Sequence, residues 1–132
     1  MASKRVLVVD DHKPTRTLIR TILVGDTSEK FEVVEAENGE ECLQLFDKKG
    51  PFQLVLLDVN MPVLDGYAAC RGIRERDRKV PVIFVTGNSE MKDYAAGREA
   101  GGDSYLVKPV SRAALRSIIS LFTSVGRRTA AP

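Results

Sequence analysis

The sequence predicts a doubly wound α/β domain, in which helices cover both faces of a parallel sheet. Five short runs rich in Val, Leu and Ile alternate along the chain with patterns typical of amphipathic helices. The apolar runs show little alternation with polar residues, which indicates strands buried on both faces. A length of 132 residues suits one domain with a single hydrophobic core better than it suits two.

The first two β/α units have clear boundaries. A strand is predicted over 5–10, and the next helix has Pro14 in its first turn, where proline is well tolerated. Its buried side is predicted to carry Leu18, Ile19, Ile22 and Leu23, and Gly25 marks its end. A second strand is predicted over 31–36. Asn38 and Glu41 follow at the spacing of a capping box, before a helix with apolar Cys42, Leu43, Leu45 and Phe46.

The remaining three units follow the same order. Strands are predicted over 52–58, 80–86 and 104–108. The third helix is predicted over 65–76, with basic residues in the last turn that complement the helix dipole. A weaker fourth helix over 90–100 has Ser89 as a candidate cap, and Ser111 is expected to cap the final helix. That helix carries Leu115, Ile118, Ile119 and Phe122 on one face.

The composition excludes several classes of protein. With 43% hydrophobic and 29% charged residues, the chain is typical of an ordinary globular protein rather than a disordered or fibrous one. A formal net charge of +2 gives no indication of nucleic-acid binding, and no apolar run is long enough to span a membrane. We therefore expect a cytoplasmic protein. Cys42 and Cys70 lack the spacing of a metal site and are expected to be reduced core residues.

Polar residues finish four of the five predicted strands. In doubly wound folds the site lies beyond the carboxyl ends of the strands, so these residues are the candidates for function. They are Asp10, Asp11, Asp58, Thr86 and Lys108. Adjacent carboxylates repel each other, and a hard cation such as Mg²⁺ would relieve that repulsion.

The same residues predict phosphoryl chemistry. A lysine and a hydroxyl on neighbouring strand ends would stabilise phosphoryl oxygens, one by charge and one by a hydrogen bond. Asp58 lies between them in the predicted sheet. An aspartate nucleophile that forms an acyl phosphate is the natural chemistry for such a set.

Four fragments of this sequence, in this order and at these strand ends, resemble the receiver domain of two-component response regulators. They are VLVVDD, LVLLDVNMPVLDG, VIFVTG and YLVKP, and the resemblance covers residues 5 to about 124. It implies a (βα)5 flavodoxin-like fold of the CheY-like superfamily, with strand order 2-1-3-4-5. It also implies one receiver domain over 1–132 with a core over 5–124, and the last residues, 125–132, are expected to form a flexible tail.

The resemblance implies a role for each candidate residue. Asp58 would accept a phosphoryl group from a histidine kinase or a histidine phosphotransfer protein. Mg²⁺ would be bound by Asp11, Asp58 and the backbone carbonyl of Asn60, with Asp10 contributing directly or through water. Thr86 and Lys108 resemble the ligands of the phosphoryl oxygens, Tyr105 resembles the aromatic switch, and the peptide bond before Pro109 is expected to be cis.

The expected function is therefore a phosphorylation-dependent switch in a phosphorelay, which catalyses only its own phosphorylation and dephosphorylation. Its partners would be the kinase or phosphotransfer protein and a downstream effector, without direct contact to nucleic acid or membrane. We expect a monomer or a weak phosphorylation-dependent dimer.

Three alternatives remain open. A Mg²⁺-dependent phosphohydrolase could use the same nucleophile, although such enzymes usually carry a second acid where this chain has Asn60. The chain could be the receiver of a hybrid histidine kinase. A degenerate receiver that only docks would require a missing acceptor or lysine, and both residues are present. His12 and the basic run over 71–79 are expected to have no direct role, the latter being a solvated helix end. Gly87 stands where the family often has alanine, which is expected to loosen the adjacent loop.

Overall fold

The computed structural model describes residues 4–25, 30–87 and 91–123, with side chains in the fourth helix described from residue 94. Within these residues, five strands alternate with five helices, as the sequence predicts. The strands are β1 (Lys4–Val9), β2 (Phe31–Ala36), β3 (Leu54–Asp58), β4 (Val82–Thr86) and β5 (Ser104–Val107). The helices are α1 (Lys13–Gly25), α2 (Gly39–Lys49), α3 (Gly66–Arg76), α4 (Met91–Ala100) and α5 (Arg112–Thr123).

All strand pairs in the sheet are parallel, and the strand order is β2-β1-β3-β4-β5. The expected order 2-1-3-4-5 and the flavodoxin-like fold are therefore confirmed. The order reverses at β1, because β2 lies on one side of it and β3 on the other. A crevice at the carboxyl ends of β1 and β3 is where doubly wound folds place their sites.

Each face of the sheet packs against its own hydrophobic cluster. Leu7 and Val9 of β1 belong to the cluster that also contains Cys42 of α2 and Cys70 of α3. The alternate residues of β1 belong to a second cluster with α1 and α5. Burial raises the pKa of the Cys42 thiol to about 12 and that of Cys70 to about 11, so both behave as protonated core residues.

The helix starts predicted from capping residues are present. The Asn38 side chain accepts a hydrogen bond from the backbone N–H of Glu41 (2.8 Å), and Glu41 Oε1 accepts one from the N–H of Glu37 (2.7 Å). Ser111 Oγ accepts from the N–H of Ala114 (3.0 Å) at the start of α5. These side chains satisfy backbone donors that have no partner within their helices.

Some boundaries and faces differ from the sequence-based predictions. Asp10 and Lys108 lie one residue beyond β1 and β5, rather than within them. Leu18 is 40% exposed, so its assignment to the buried side of α1 is wrong. The buried stripe is set by Ile19, Ile22 and Leu23, and Leu18 is rotated by about 100° from Ile19 around the helix axis. The proposed cap Ser89, the start of the predicted fourth helix at Glu90 and the predicted tail over 125–132 lie outside the described residues.

Among the helices of the described residues, none combines the length and the hydrophobicity needed to cross a bilayer. The predictions of a cytoplasmic location and of a single domain stay predictions.

Candidate functional site

The carboxyl ends of β1 and β3 place three carboxylates side by side. Val9 and Leu57 are register partners in neighbouring strands, so Asp10 and Asp58 each follow a paired position. One carboxylate oxygen from each of Asp10, Asp11 and Asp58 can be chosen so that all three lie within 4.8 Å of one another. The structure therefore brings together the three acidic residues that the sequence singles out.

Asp10 is almost fully buried, with 1% of its surface exposed. Its Oδ1 accepts a hydrogen bond from the backbone N–H of His12 (2.8 Å). Its Oδ2 lies 3.0 Å from Lys108 Nζ as an ion pair, but this contact lacks hydrogen-bond geometry, and Oδ2 has no hydrogen-bond partner among the described residues. A buried carboxylate oxygen in this state has unused capacity to bind a cation.

Asp58 is 4% exposed and lies at the end of β3. Burial raises the pKa of its carboxyl from an ordinary value of 3.8 to about 6, and the negative charge of Asp10 contributes in the same direction. The positive charge of Lys108 opposes this rise without cancelling it. In the absence of a cation, the environment of Asp58 therefore disfavours its ionised form.

Lys108 supplies a positive charge beside two of these carboxylates. Its Nζ lies 3.0 Å from Asp10 Oδ2 and 3.4 Å from Asp58 Oδ1. Burial lowers the pKa of this amine, but the contacts with Asp10 and Asp58 raise it more, so the net shift is upward. The peptide bond between Lys108 and Pro109 is cis, as the resemblance implies; the Gly50–Pro51 bond is also cis.

The residues present fit a divalent cation. Three carboxylates face one ammonium group, which leaves an excess of negative charge when all are ionised. Within the part of the chain that the structure describes, no group donates a hydrogen bond to the buried Asp10 Oδ2. Asp11 is exposed, so the group opens to solvent on one side. Carboxylate oxygens with access for water molecules are the ligand type that Mg²⁺ prefers.

Thr86 ends β4 next to this group. Asp58 is the register partner of Val85, so Thr86 lies one residue further along the neighbouring strand. Thr86 is 1% exposed, and its backbone oxygen accepts a hydrogen bond from the N–H of Lys108 (2.8 Å). This bond joins the two predicted phosphoryl ligands, Thr86 at the end of β4 and Lys108 just beyond β5, through the backbone.

The loop after β3 is shaped by its own residues. Asn60, the predicted carbonyl ligand, lies two residues after Asp58 and is exposed. Asp65 caps α3, because its Oδ1 accepts from the N–H of Ala68 (2.9 Å). A Cβ on Gly66 would lie 2.2 Å from the backbone oxygen of Asp58, so only glycine allows this close approach. Val63 has a φ of 73° and is 74% exposed.

Tyr105 lies beneath α4, away from the carboxylates. Its ring packs against Phe84 of β4 and Tyr94 of α4, with centroid distances of 5.3 and 4.5 Å. Its hydroxyl is 3.4 Å from that of Tyr67 on α3. A Cβ on Gly97 would lie 2.2 Å from the Tyr105 oxygen. The Tyr105 ring thus fills the space under α4 in this structure.

Sequence reasoning did not identify Tyr67 and Gly97 as parts of this aromatic packing. Both lie within ordinary helix patterns, and their closeness to Tyr105 follows from the tertiary packing of α3 and α4. The glycine inside the fourth helix is the only local signal, since glycine in a helix interior often marks a close approach.

Arg16 of α1 is a second residue that sequence reasoning missed. It is 8% exposed, and its Nη1 donates a hydrogen bond to the backbone oxygen of Asp10 (2.7 Å). Its Nε donates to Glu35 Oε1 (2.8 Å), and Glu35 also accepts from Arg20 (2.6 Å). A buried charge of this kind usually requires a structural or functional reason.

The basic run over 71–79, which begins within α3, is more than a solvated helix end. Arg74 donates to the backbone oxygens of Gly101 (2.9 Å) and Val80 (2.8 Å), and to Asp103 Oδ2 (3.0 Å). It therefore joins α3 to the start of β4 and to the α4–β5 turn. His12, by contrast, is exposed, and its Nδ1 pairs with Thr15 Oγ1 (2.8 Å).

Comparisons with known proteins add independent observations. The family model described as the response regulator receiver domain matches residues 6–120 of this chain. The probable transcriptional regulator ycf27 of Pyropia yezoensis is 41% identical over 131 residues, which cover 93% of this chain and 52% of that protein. The chain spans about half the length of the curated relatives it matches.

Two solved structures share the fold at high coverage. The receiver domain of the Francisella response regulator 1452 has a TM-score of 0.82 and 27% identity, and the match covers 96% of this chain and 99% of that one. The receiver domain of the sensor histidine kinase PA1611 from Pseudomonas aeruginosa has a TM-score of 0.80 and 31% identity, with coverages of 92% and 98%. That structure contains a magnesium ion coordinated in its active site cleft.

Proposed function

Because the chain belongs to the response regulator receiver domain family, we propose that it is a phosphorylation-dependent switch in two-component signalling. Asp58 accepts a phosphoryl group from a histidine kinase or a histidine phosphotransfer protein. The observation that carries this proposal is the buried Asp58 carboxylate, placed beside Lys108 and the acid pair Asp10 and Asp11.

The transfer is a displacement at phosphorus. A carboxylate oxygen of Asp58 forms the new P–O bond while the P–N bond of the donor phosphohistidine breaks, and the electron pair of that bond stays on the imidazole nitrogen. With a pKa of about 6, the Asp58 carboxyl is mostly ionised at pH 7 and available as a nucleophile. Lys108 lies close enough to balance charge on the phosphoryl oxygens.

Mg²⁺ is the cofactor that these residues would hold, through the carboxylates of Asp10, Asp11 and Asp58 and the backbone carbonyl of Asn60. When bound, the cation would offset the negative charge of the phosphoryl oxygens. The fit rests on the mutual distances of the three carboxylates and on the buried Asp10 Oδ2, which has an ion pair with Lys108 but no hydrogen bond among the described residues. The magnesium ion in the similar PA1611 receiver supports the choice of metal.

The output of the switch is a change in the surface near α4. A phosphoryl group on Asp58 offers new acceptor oxygens, toward which the Thr86 hydroxyl moves. Thr86 is joined to β5 through the backbone of Lys108, and Tyr105 of β5 packs beneath α4. In this proposal phosphorylation shifts an equilibrium between conformations of this packing rather than creating a new fold.

The chain itself turns over no external substrate in this proposal and catalyses only its own phosphorylation and dephosphorylation. Its effector is a separate protein or a further domain of a longer one. The relative from Pyropia is described as a probable transcriptional regulator, and the PA1611 receiver comes from a sensor histidine kinase. These two similarities support, respectively, a regulator and a hybrid-kinase context for the same receiver chemistry.

Incubation with acetyl phosphate and Mg²⁺, followed by intact-mass measurement, tests the proposal. We expect one phosphoryl adduct on the wild type and none on Asp58→Asn. Asp65→Asn is the matched control, because Asp65 caps α3 and is expected to leave labelling unchanged. Turnover of acetyl phosphate without an adduct would favour a phosphohydrolase, and an inert protein would indicate a docking module.

A further inference from the structure

A buried arginine, Arg16, contacts the backbone of Asp10, and the proposed phosphoryl transfer does not use it. The buried polar side chains among the described residues are those of Asp10, Arg16, Asp58 and Thr86. Three of the four belong to the candidate site, and Arg16 touches the site through the backbone of Asp10. Burying a guanidinium is costly, so its contacts indicate what it does.

The guanidinium of Arg16 bridges an acceptor just beyond the end of β1 and an acceptor on β2. Nη1 donates to the backbone oxygen of Asp10 (2.7 Å), and Nε donates to Glu35 Oε1 on β2 (2.8 Å). Burial raises the pKa of Glu35, but the hydrogen bonds and charges of Arg16 and Arg20 outweigh this effect and lower it overall. Glu35 is thus an ionised partner that offsets the positive charge of Arg16 near the site.

The hydrogen bond from Arg16 to Asp10 is made to the peptide unit that connects two predicted cation ligands, Asp10 and Asp11. The oxygen that Arg16 contacts belongs to the peptide unit joining Asp10 to Asp11, and this unit is planar. Fixing its carbonyl therefore fixes the direction in which the chain continues to Asp11. On the other side, the N–H of Asp10 donates to the backbone oxygen of Ala36 (3.1 Å). Asp10 is held in this way by β2 and by Arg16, although it lies beyond the end of β1.

From this geometry we infer that Arg16 is a positioning residue for cation binding, which holds the carboxylates of Asp10 and Asp11 in the relative orientation that the cation needs. Glu35 is the partner that balances the charge of Arg16. The inference rests on the proposed function, because that function supplies the cation. Without the guanidinium, the buried carbonyl of Asp10 loses its hydrogen-bond donor. The peptide unit between Asp10 and Asp11 then rotates toward a different donor. Mg²⁺ requires near-ideal ligand geometry, so a small rotation at Asp11 weakens its binding.

The test measures Mg²⁺ binding directly, by isothermal titration calorimetry of the folded protein. Arg16→Lys keeps the charge, but a single ammonium cannot bridge Asp10 and Glu35 in the same way. We expect its dissociation constant for Mg²⁺ to rise about tenfold, as is typical for residues that orient metal ligands. Glu35→Gln leaves the charge of Arg16 unopposed, and we expect a rise of about threefold.

Arg5→Gln is the matched control. Arg5 makes the same two kinds of contact at the opposite end of β1, with Glu32 of β2 and with the backbone oxygen of Lys49. Its loss disturbs the pairing of β1 and β2 far from the carboxylates, so the affinity for Mg²⁺ is expected to stay at the wild-type value.

A second measurement separates positioning from a purely structural role. The rate of Asp58 phosphorylation by acetyl phosphate is followed against Mg²⁺ concentration. In Arg16→Lys the half-saturating concentration should rise about tenfold, while the rate at saturation stays near that of the wild type. Metal-free ¹⁵N spectra should show shifted amides at Asp11 and His12.

Unchanged Mg²⁺ affinity in folded Arg16→Lys would overturn the inference. If that variant does not fold, Glu35→Gln carries the test, and an unchanged affinity there has the same consequence. Failure of the proposed function itself is seen separately, as a wild-type protein that neither binds Mg²⁺ nor becomes labelled at Asp58.

Discussion

At the scale of single residues, the Asp58 carboxyl sits where its protonated form is favoured. Its pKa rises from an ordinary 3.8 to about 6 in the folded protein because of burial and the nearby Asp10. The folded state therefore binds this proton more tightly than the unfolded state does. The resulting stabilisation is fully present below about pH 4 and is lost as the pH rises from about 4 to 6.

The raised pKa of Asp58 predicts how the stability of the metal-free protein changes when this carboxyl is removed. At pH 7 the ionised Asp58 costs stability, so Asp58→Asn should raise the free energy of unfolding by about 1–3 kcal/mol. Near pH 4 the two proteins should be almost equally stable, because the wild-type carboxyl is protonated. Urea unfolding in EDTA at both pH values measures the difference. An equal gain at the two pH values would show that the effect does not come from this ionisation.

The residues of the site differ in how well the sequence predicts them. Asp10, Asp58 and Lys108 are identifiable because each follows a run of apolar residues, and parallel strands bring their carboxyl ends to one edge. Arg16 and Tyr67 lie on helices, where an arginine or a tyrosine usually faces solvent or fills a core. Their contacts depend on how helices pack on the sheet, and no local spacing encodes that.

At the scale of elements, the link from β4 to β5 and α4 gives a second prediction. Thr86→Ala should still be phosphorylated on Asp58, because the nucleophile and Lys108 remain. Without the hydroxyl, NMR should show smaller chemical-shift changes at Tyr105 and along 91–100 on activation with beryllofluoride.

Thr86→Ser is the conservative control for this prediction. It retains the hydroxyl and should restore most of the response. Full wild-type shifts at Tyr105 in Thr86→Ala would place the route to α4 elsewhere. Gly87 adds backbone freedom to the same loop because it has no Cβ. A Cβ there would meet no atom of the described residues within 4 Å beyond its chain neighbours, so Gly87→Ala is sterically allowed.

Element types and order were predictable, whereas element ends were less so. Buried runs of branched apolar residues indicated the strands, and capping residues such as Asn38 and Ser111 marked helix starts. Asp10 was predicted within β1 but lies beyond its last paired residue. The apolar run of β1 ends at Asp10, and the sequence-based boundary follows that run. The last residue of a strand is instead set by its backbone hydrogen bonds, which depend on where the neighbouring strands begin and end.

At the scale of the whole molecule, the acidic group ties folding stability to metal concentration. A cation that binds only the native state raises the free energy of unfolding, by about 2.7 kcal/mol at a concentration 100 times its dissociation constant. We therefore expect Mg²⁺ to raise the melting temperature of the wild type by several degrees. Asp11→Ala should remove most of this rise, and because Asp11 is exposed, its loss leaves the core intact.

Differential scanning calorimetry with and without MgCl₂ measures this effect, and NaCl at equal ionic strength controls for screening. The metal-free Asp11→Ala protein should be at least as stable as the metal-free wild type, because one repelling charge is gone. A Mg²⁺-induced rise of wild-type size in Asp11→Ala would place the cation away from this carboxylate.

The contacts of Arg74 fix the carboxyl end of α4, so any tilt of this helix would move its amino end most. Arg74 donates hydrogen bonds to the backbone oxygen of Gly101 and to the side chain of Asp103. The N–H of Asp103 donates to the backbone oxygen of Val82 (2.8 Å). The carboxyl end of α4 is therefore anchored to α3 and β4. The helix has ten residues and is about 15 Å long. A tilt of about 10° around the anchored end would displace the other end by about 2.5 Å, given that length. Such a tilt would turn a small displacement near the anchored end into a larger one at the amino end of α4.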